Sequence, residues 1–101
     1  MIYEIGHSQR LCEIYPAQKR IVIDKSFFKI PYYNIRVFIL LHEIAHLYTA
    51  NEMEADWLAF KTYYQRGYPI RDSIIALTRY ITDKRNAYQR AKKLLDRLYE
   101  L

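Results

Sequence analysis

A short polar motif at the end of an apolar stretch constrains this 101-residue chain more than any other feature. Residues 42 to 46 read His-Glu-Ile-Ala-His, and the run before them, residues 35–41, is apolar except for Arg36. This pattern predicts a helix that is buried nearly all round, with Asn34 as a candidate N-cap. An unpaired polar side chain in a core costs about 1–3 kcal/mol. The helix therefore has to bring partners to its histidines and its glutamate.

A metal ion would satisfy these groups. On a helix, His42 and His46 lie one turn apart on the same face, so both can bind one ion. Glu43 lies about 100° round the helix, beside an open coordination position. This is the layout of zinc-assisted hydrolysis. The alternative is a pair of core histidines that merely form hydrogen bonds, since a motif with three fixed positions also arises by chance.

The segment after the motif predicts a second helix, with Asn51 as its N-cap and Gly67 just beyond its end. A catalytic zinc ion takes three protein ligands and a water, so a carboxylate in the first turn of this helix is the expected third ligand. Asp56 lies one turn after Glu52 and can accept the free ring N–H of either histidine. The alternative is that these acidic residues only stabilise the helix N-terminus, by about 0.3–1 kcal/mol each.

Together the two motifs resemble a known group of metallopeptidases. H-E-x-x-H followed by E-x-x-A-D, here residues 52–56, is similar to the gluzincins, especially the minigluzincins. Those are small soluble zymogens that share a scaffold with HtpX-like and CAAX-prenyl proteases, and the ImmA/IrrE-type peptidases are similar too. The resemblance is best over residues 20–68. It implies that Glu52 is the third zinc ligand, that Asp56 supports a ligand histidine and that Glu54 is a spectator.

Only residues 47–51 separate the two motifs, which is a shorter link than in many gluzincins. The short link leaves Glu54 or Asp56 as alternative third ligands. The motifs predict a Zn²⁺-dependent metalloendopeptidase with a peptide or protein as substrate. In this mechanism the metal polarises a water and the peptide carbonyl, while Glu43 takes the proton of the water and delivers it to the leaving amine.

Such an enzyme also needs a donor for the negative charge that develops on the carbonyl oxygen. Phenolic and cationic candidates follow the second motif, and the pattern does not rank them. They are Tyr63, Tyr64, Tyr68, Arg71 and Arg79. His7, the only histidine outside the motif, is expected in a turn rather than on the metal, because turn-forming residues surround it.

The fold class follows from the order of these patterns. Strand patterns cover residues 2–5, 11–15 and 20–24, with turn residues between them, and predict an antiparallel meander. Cys12, the only cysteine, is expected in a strand or in the core. The chain is predicted to be one α+β domain with a small antiparallel sheet and strands over residues 1–30, zinc-site helices over residues 34–66, and basic helices over residues 70–101. The resemblance implies that one edge of the sheet pairs with extended substrate.

The C-terminal third carries all of the net charge of +5, because residues 1–65 are balanced. Asp72 or Ser73 is predicted to cap a helix that ends near residue 81, and Asp83 to cap a last helix. The apolar stripe of that helix is predicted at Tyr88, Ala91, Leu94, Leu95 and Leu98, and its basic residues on the other faces. A solvated basic face is the first interpretation; nucleic acid, an acidic partner or an acidic membrane surface is the alternative.

Three further expectations remain. The resemblance implies latency, in which the C-terminal segment docks over the cleft within one chain or across a homodimer; the rival is that it completes the core. A different class of function is a non-catalytic module with a structural metal, whose basic helices bind protein or nucleic acid. The lone cysteine and a longest fully apolar run of only residues 37–41 predict a soluble, cytoplasmic protein without a signal peptide or transmembrane segment.

Overall fold

The computed structural model describes residues 2–8 and 10–101 and confirms the predicted α+β class, with strands first and helices after them. The strands are β1 (Ile2–Gly6), β2 (Cys12–Tyr15) and β3 (Arg20–Asp24). The helices are α1 (Tyr33–Ala45), α2 (Glu52–Gln65), α3 (Ile70–Ala76), which continues as a π-helical turn (Leu77–Ile81), and α4 (Lys84–Asp96). Short 3-10 turns lie at Pro16–Gln18, Lys25–Lys29 and Leu98–Glu100. Over the described residues, no helix combines the length and apolar character needed to span a membrane.

The sheet is mixed, so the predicted antiparallel meander is wrong for β1. The strand order is β1-β3-β2, with β1 parallel to β3 and β2 antiparallel to it. Ile21, Val22 and Ile23 of β3 are all buried. A strand with β-branched apolar residues on both faces is most stable in the centre of a sheet, where both faces are covered. β1 therefore pairs with β3 rather than with its neighbour in sequence.

One apolar core joins the sheet to all four helices. Its buried members are Cys12, Ile21, Ile23, Phe27, Ile30, Ile35, Phe38, Ile39, Trp57, Ala59, Phe60, Tyr63, Ala76, Leu77 and Leu94. The prediction for Cys12 is confirmed, because it begins β2 and is 2% exposed. Burial raises the pKa of the Cys12 thiol to about 12, so the thiol stays protonated and unreactive near neutral pH. The predicted burial of the first helix is also confirmed, since no residue from 34 to 47 is exposed.

Three predicted helix boundaries are confirmed. Asn51 caps α2 by accepting a hydrogen bond from the backbone N–H of Glu54, at 2.9 Å. Gly67 follows the end of α2 with φ of 84°, a left-handed conformation that glycine adopts without strain. Asp83 caps α4 by accepting from the backbone N–H of Asn86, also at 2.9 Å.

The predicted cap at Asn34 is wrong. α1 begins two residues earlier than predicted, at Tyr33, and Tyr32 occupies the cap position without a side-chain hydrogen bond. The side chain of Asn34 donates instead to Asp72 Oδ2, at 3.1 Å. Asn34 thus connects α1 to α3. The local sequence pattern does not reveal this tertiary contact.

The predicted caps of α3 are also wrong. α3 begins at Ile70, directly after Pro69, so Asp72 and Ser73 lie inside the helix. The hydroxyl of Ser73 donates back to the carbonyl of Ile70, at 2.6 Å. Pro69 has the extended backbone of a cap position, and the helix starts there before either polar residue is reached. The predicted end near residue 81 agrees with the end of the π-helical turn.

The buried face of α4 differs from the predicted stripe. Tyr88 is 77% exposed and Leu95 is 41% exposed, whereas Leu94 and Arg90 are buried. The helix is therefore rotated so that one of its basic residues faces inward. A charge is buried only where it finds partners, and the partners of Arg90 are carboxylates of α2.

Candidate metal centre

The structure brings two histidines and one glutamate together where α1 ends and α2 begins. His42 lies in the last turn of α1 and is fully buried, and His46 is the C-cap residue of that helix. Glu52 is the first residue of α2. Among the residues that the structure describes, these three form the group of His, Cys, Asp and Glu side chains that could hold a metal ion, with ligand atoms within 4.8 Å of one another.

The distances between the donor atoms fit a single tetrahedral ion. The Nε2 atoms of His42 and His46 lie 3.3 Å apart. The carboxylate of Glu52 lies 2.9 Å from His46 Nε2 and 3.5 Å from His42 Nε2. Bonds of about 2.0–2.2 Å in a tetrahedron place neighbouring ligand atoms about 3.3–3.6 Å apart. The three side chains can therefore accept a divalent metal ion with only small adjustments.

The outer nitrogen of each ring lies next to an acceptor. His46 Nδ1 lies 3.0 Å from the backbone carbonyl of Thr49, in the turn between the two helices. His42 Nδ1 lies 3.0 Å from Asp56 Oδ1, a close charge contact whose geometry falls short of a well-directed hydrogen bond. Acceptors at Nδ1 favour a proton on that nitrogen and leave the Nε2 lone pairs for a metal.

His42 and Glu52 of the cluster shift each other's pKa values. Burial lowers the pKa of His42, but the carboxylates of Asp56 and Glu52 outweigh burial and raise that pKa to about 9. The same contact with His42 lowers the pKa of Glu52 to about 2. Without a metal, a proton is held between imidazole and carboxylate. A metal ion would have to displace that proton, so the site can bind either the proton or the metal ion.

Arg90 is the site residue that the sequence analysis missed. Its Nε donates to Asp56 Oδ2 at 2.7 Å, and its Nη2 donates to Asp56 Oδ1 at 2.6 Å. Nη2 also donates to Glu52 Oε2 at 3.1 Å. The periodicity of α4 placed Arg90 among solvated basic residues, and no local signal marks it as different from them.

Glu43 lies beside the three donors, at the edge of the cleft. It is 5% exposed, and burial raises its pKa above the usual range, against the opposing effect of His42 and Arg10. Arg10 Nη2 lies 3.9 Å from Glu43 Oε1, and the arginine side chain is 58% exposed. The carboxylate of Glu43 thus lines the cleft and forms a long ion pair with an exposed arginine.

The cleft opens between β2 and the helix that carries the motif. It has a volume of about 440 Å³ and contains Glu43, His46 and Glu52 on one wall. The rest of its lining comes from Arg10, Glu13, Ile14, Pro16 and Ala50. A second cavity of about 280 Å³ adjoins Glu43 and Arg10 on the side of Cys12, Ile39 and the π-helical turn. Two of the three candidate ligands, His46 and Glu52, therefore face a space that a substrate could enter, whereas His42 is fully buried.

The structure does not place the five predicted oxyanion donors in this cleft. The hydroxyl of Tyr63 donates to the backbone carbonyl of Asn34, at 3.0 Å, inside the core. Tyr68 stacks on Tyr63, with ring centroids 4.8 Å apart, and Tyr64 stacks on Phe60. Tyr63 is therefore part of the core and Tyr68, beyond the end of α2, packs against it, whereas Tyr64 is 45% exposed.

Arg71 and Arg79 lie elsewhere as well. Both line a separate cavity between α1 and α3, together with Tyr32 and Asp72. Among the described residues, the cationic side chain that does line the cleft is Arg10, from the loop before β2. Proximity in sequence to the second motif was a poor guide, because the chain turns away at Gly67.

The remaining candidates are also placed. Glu54 points away from the histidines and lies 3.6 Å from Arg97 of α4. His7 is 94% exposed and lies 3.6 Å from Asp24, outside the cluster. The structure thus brings Glu52, rather than Glu54 or Asp56, next to the two Nε2 atoms.

α4 packs against α2 and the π-helical turn, behind the site. No described residue of α4 lines the cleft that holds Glu43, His46 and Glu52. The helix supplies Leu94 to the core and Arg90 to the carboxylates. Within one chain α4 therefore completes the core and leaves the cleft open, and latency across a dimer stays a prediction.

A substitution series tests which carboxylate binds the metal. Glu52→Ala is expected to weaken zinc affinity far more than Glu54→Ala, because only Glu52 lies beside the two Nε2 atoms. Asp56→Asn is expected between them, with a loss of about 10–100-fold, since it acts through His42. Competition with a chromophoric chelator measures the three affinities. A larger loss at Glu54 than at Glu52 would contradict the assignment.

The geometry thus establishes a three-residue cluster that could hold a metal, with a buried carboxylate and an open cleft beside it. No family model matches the sequence, and no curated protein and no solved structure is detectably similar to it.

Proposed function

We propose that this protein is a zinc-dependent metallopeptidase. The observation that carries the proposal is the convergence of His42 Nε2, His46 Nε2 and the carboxylate of Glu52. His46 and Glu52 line a cleft together with Glu43, and His42 lies buried behind them. Three protein ligands and an open side are the mark of a catalytic rather than a structural zinc site. The resemblance to the gluzincins supports the same function.

Zinc is the metal that suits this set of donors. Two imidazoles and one carboxylate are the ligands of several zinc hydrolases, and tetrahedral spacing favours zinc over the octahedral preference of magnesium. When bound, the ion would supply a Lewis acid that polarises a water and a peptide carbonyl.

Glu43 is the group that moves the proton. Its carboxylate accepts a proton from the attacking water and passes it to the nitrogen of the leaving amine. Burial raises the pKa of Glu43, which makes this carboxylate a stronger base than a solvated glutamate and lets it retain the proton until the amine leaves. Asp56 and Thr49 hold the two imidazoles, and the chain thereby keeps both Nε2 atoms directed at one point.

The shape of the cleft supports a peptide as substrate. β2 pairs with β3 on one side only, over the described residues, and Glu13 and Ile14 of β2 line the cleft. An extended peptide can add to such an edge through backbone hydrogen bonds, which bind without strong demands on sequence. A peptide paired with this edge would run along the β2 side of the cleft that His46 and Glu43 also line.

The proposal is tested by digestion of an unstructured protein. The zinc-loaded chain is incubated with β-casein, and the products are identified by mass spectrometry. We expect new peptides that disappear after treatment with a chelator and return when zinc is added back, because the metal supplies the Lewis acid. Cleavage that survives chelation would point to a contaminating protease. Absence of cleavage of casein and of a mixed peptide library by the zinc-loaded chain would contradict the proposal.

A further inference from the structure

Arg90 connects the last helix to the metal centre. It lies on α4 and is 9% exposed. Its Nε donates to Asp56 Oδ2 at 2.7 Å, and its Nη2 donates to Asp56 Oδ1 at 2.6 Å. Nη2 makes a third contact, to Glu52 Oε2, at 3.1 Å. A planar guanidinium that binds a carboxylate through two parallel hydrogen bonds fixes both the position and the orientation of that carboxylate.

The two carboxylates that Arg90 holds are those that the histidines depend on. Asp56 is 2% exposed and lies 3.0 Å from His42 Nδ1. Glu52 is a long side chain that is 47% exposed, so the packing around it does not determine its conformation. Its oxygens are held by His42 and His46 on one side and by Arg90 on the other.

We infer that Arg90 is the positioning residue of the metal centre. It orients Glu52 as a ligand and Asp56 as the support of His42, and it balances the charge of these two carboxylates. Through Arg90, the docking of α4 controls how well the site binds metal. This inference rests on the metal-binding part of the proposed function and not on peptidase activity.

A purely structural role is the rival explanation. Arg90 would then merely attach α4 to α2, and any comparable anchor of α4 would have the same effect. The chain offers such an anchor in Arg97, the C-cap residue of the same helix, seven residues after Arg90. Arg97 lies over the ring of Trp57, at 4.2 Å, and 3.6 Å from Glu54, and it contacts none of the three candidate ligands.

The experiment compares Arg90→Gln, Arg90→Lys and the control Arg97→Gln in the full chain. Zinc affinity is measured by competition with a chromophoric chelator, the absorption spectrum of bound Co²⁺ reports the ligand geometry, and circular dichroism monitors folding. We expect Arg90→Gln to lose about 10–100-fold in zinc affinity and to change the Co²⁺ spectrum, since supports of metal ligands have effects of that size. Arg97→Gln is expected to keep both affinity and spectrum.

Arg90→Lys provides a second test if Arg90→Gln does not fold. Lysine keeps the positive charge beside Asp56 but lacks the planar fork, so we expect a folded chain with zinc affinity between those of the wild type and Arg90→Gln. A folded Arg90→Lys or Arg90→Gln chain with wild-type affinity and an unchanged Co²⁺ spectrum would overturn the inference. So would an equal loss in Arg97→Gln.

Zinc binding and peptide cleavage, measured separately, distinguish this inference from the proposed function. Zinc binding that depends on Arg90 in a chain that cleaves no peptide would support the inference and contradict only the peptidase. A wild-type chain that binds no zinc would overturn both.

Discussion

Replacing His42 and His46 together by alanine is expected to abolish zinc binding, from about one ion per wild-type chain to none. Their Nε2 atoms lie 3.3 Å apart and provide two of the three candidate ligands. A single carboxylate, Glu52, does not hold zinc by itself at micromolar concentration. Isothermal titration calorimetry and elemental analysis of the purified chains measure the stoichiometry. The matched control is His7→Ala, which removes a histidine that is 94% exposed and lies outside the cluster.

The same variant should lose the stabilisation that zinc provides. A ligand at 100 times its dissociation constant stabilises the folded state by about 2.7 kcal/mol, so zinc should raise the melting temperature of the wild type and of His7→Ala but not of the double variant. Full zinc occupancy in the His42→Ala, His46→Ala chain would show that the ligands lie elsewhere.

Zinc affinity is also expected to depend on pH in a defined direction. His42 has a pKa of about 9 in the metal-free chain, so below that pH a proton occupies the site and must leave before zinc binds. The affinity should therefore rise as the pH is raised from 6 towards 9, as competition titrations at several pH values would show. An affinity that stays constant over this range would contradict the ligand role of His42.

Glu43→Gln is expected to retain zinc and the fold while hydrolysis falls by at least about 10²–10⁴-fold, the usual contribution of a general base. Glutamine has the same shape but cannot accept the proton of the water. Because Glu43 is 5% exposed and burial raises its pKa, an uncharged amide at this position should leave stability unchanged or slightly increase it. Single-turnover cleavage of a casein-derived peptide, with zinc content measured in parallel, tests both statements.

Glu54→Gln serves as the control for this variant, because Glu54 is an exposed glutamate of α2 outside the cleft. It should cleave at the wild-type rate. Wild-type turnover in a zinc-loaded Glu43→Gln chain would mean that the activity has another source. The raised pKa of Glu43 adds a directional check, because wild-type hydrolysis should fall on the acidic side at a higher pH than an ordinary glutamate base would give.

Local spacing explains what could be predicted from the sequence. His42 and His46 share a face because a helix repeats every 3.6 residues, and Asn51 and Asp83 cap helices because their side chains reach backbone N–H groups three residues on. Glu52 and Asp56 share a stripe of α2 for the same reason. These are interactions within one or two turns, and the chain specifies them wherever the helix packs.

Long-range packing decided the features that the sequence did not predict. The central place of β3, the contact of Asn34 with Asp72 and the entry of Arg10 into the cleft all join segments that are distant in sequence. The same holds for the five oxyanion candidates. Tyr63 lies in the core with Tyr68 packed against it, Tyr64 is exposed, and Arg71 and Arg79 line another cavity.

Arg90 shows most clearly what helical periodicity cannot predict. Its position along α4 indicated a solvated basic residue, yet it lies against Asp56 and Glu52, which precede it by 34 and 38 residues. Periodicity describes which residues share a face, but the rotation of a helix about its axis is set by the partners available in the folded protein. The sequence by itself indicated the two candidate ligand histidines and the helices that carry the site, and the structure brought Glu52 beside them. Only the tertiary structure decided that Arg90 is the cation that contacts Asp56 and Glu52. A buried carboxylate needs a cationic partner, and the fold determines which residue supplies it.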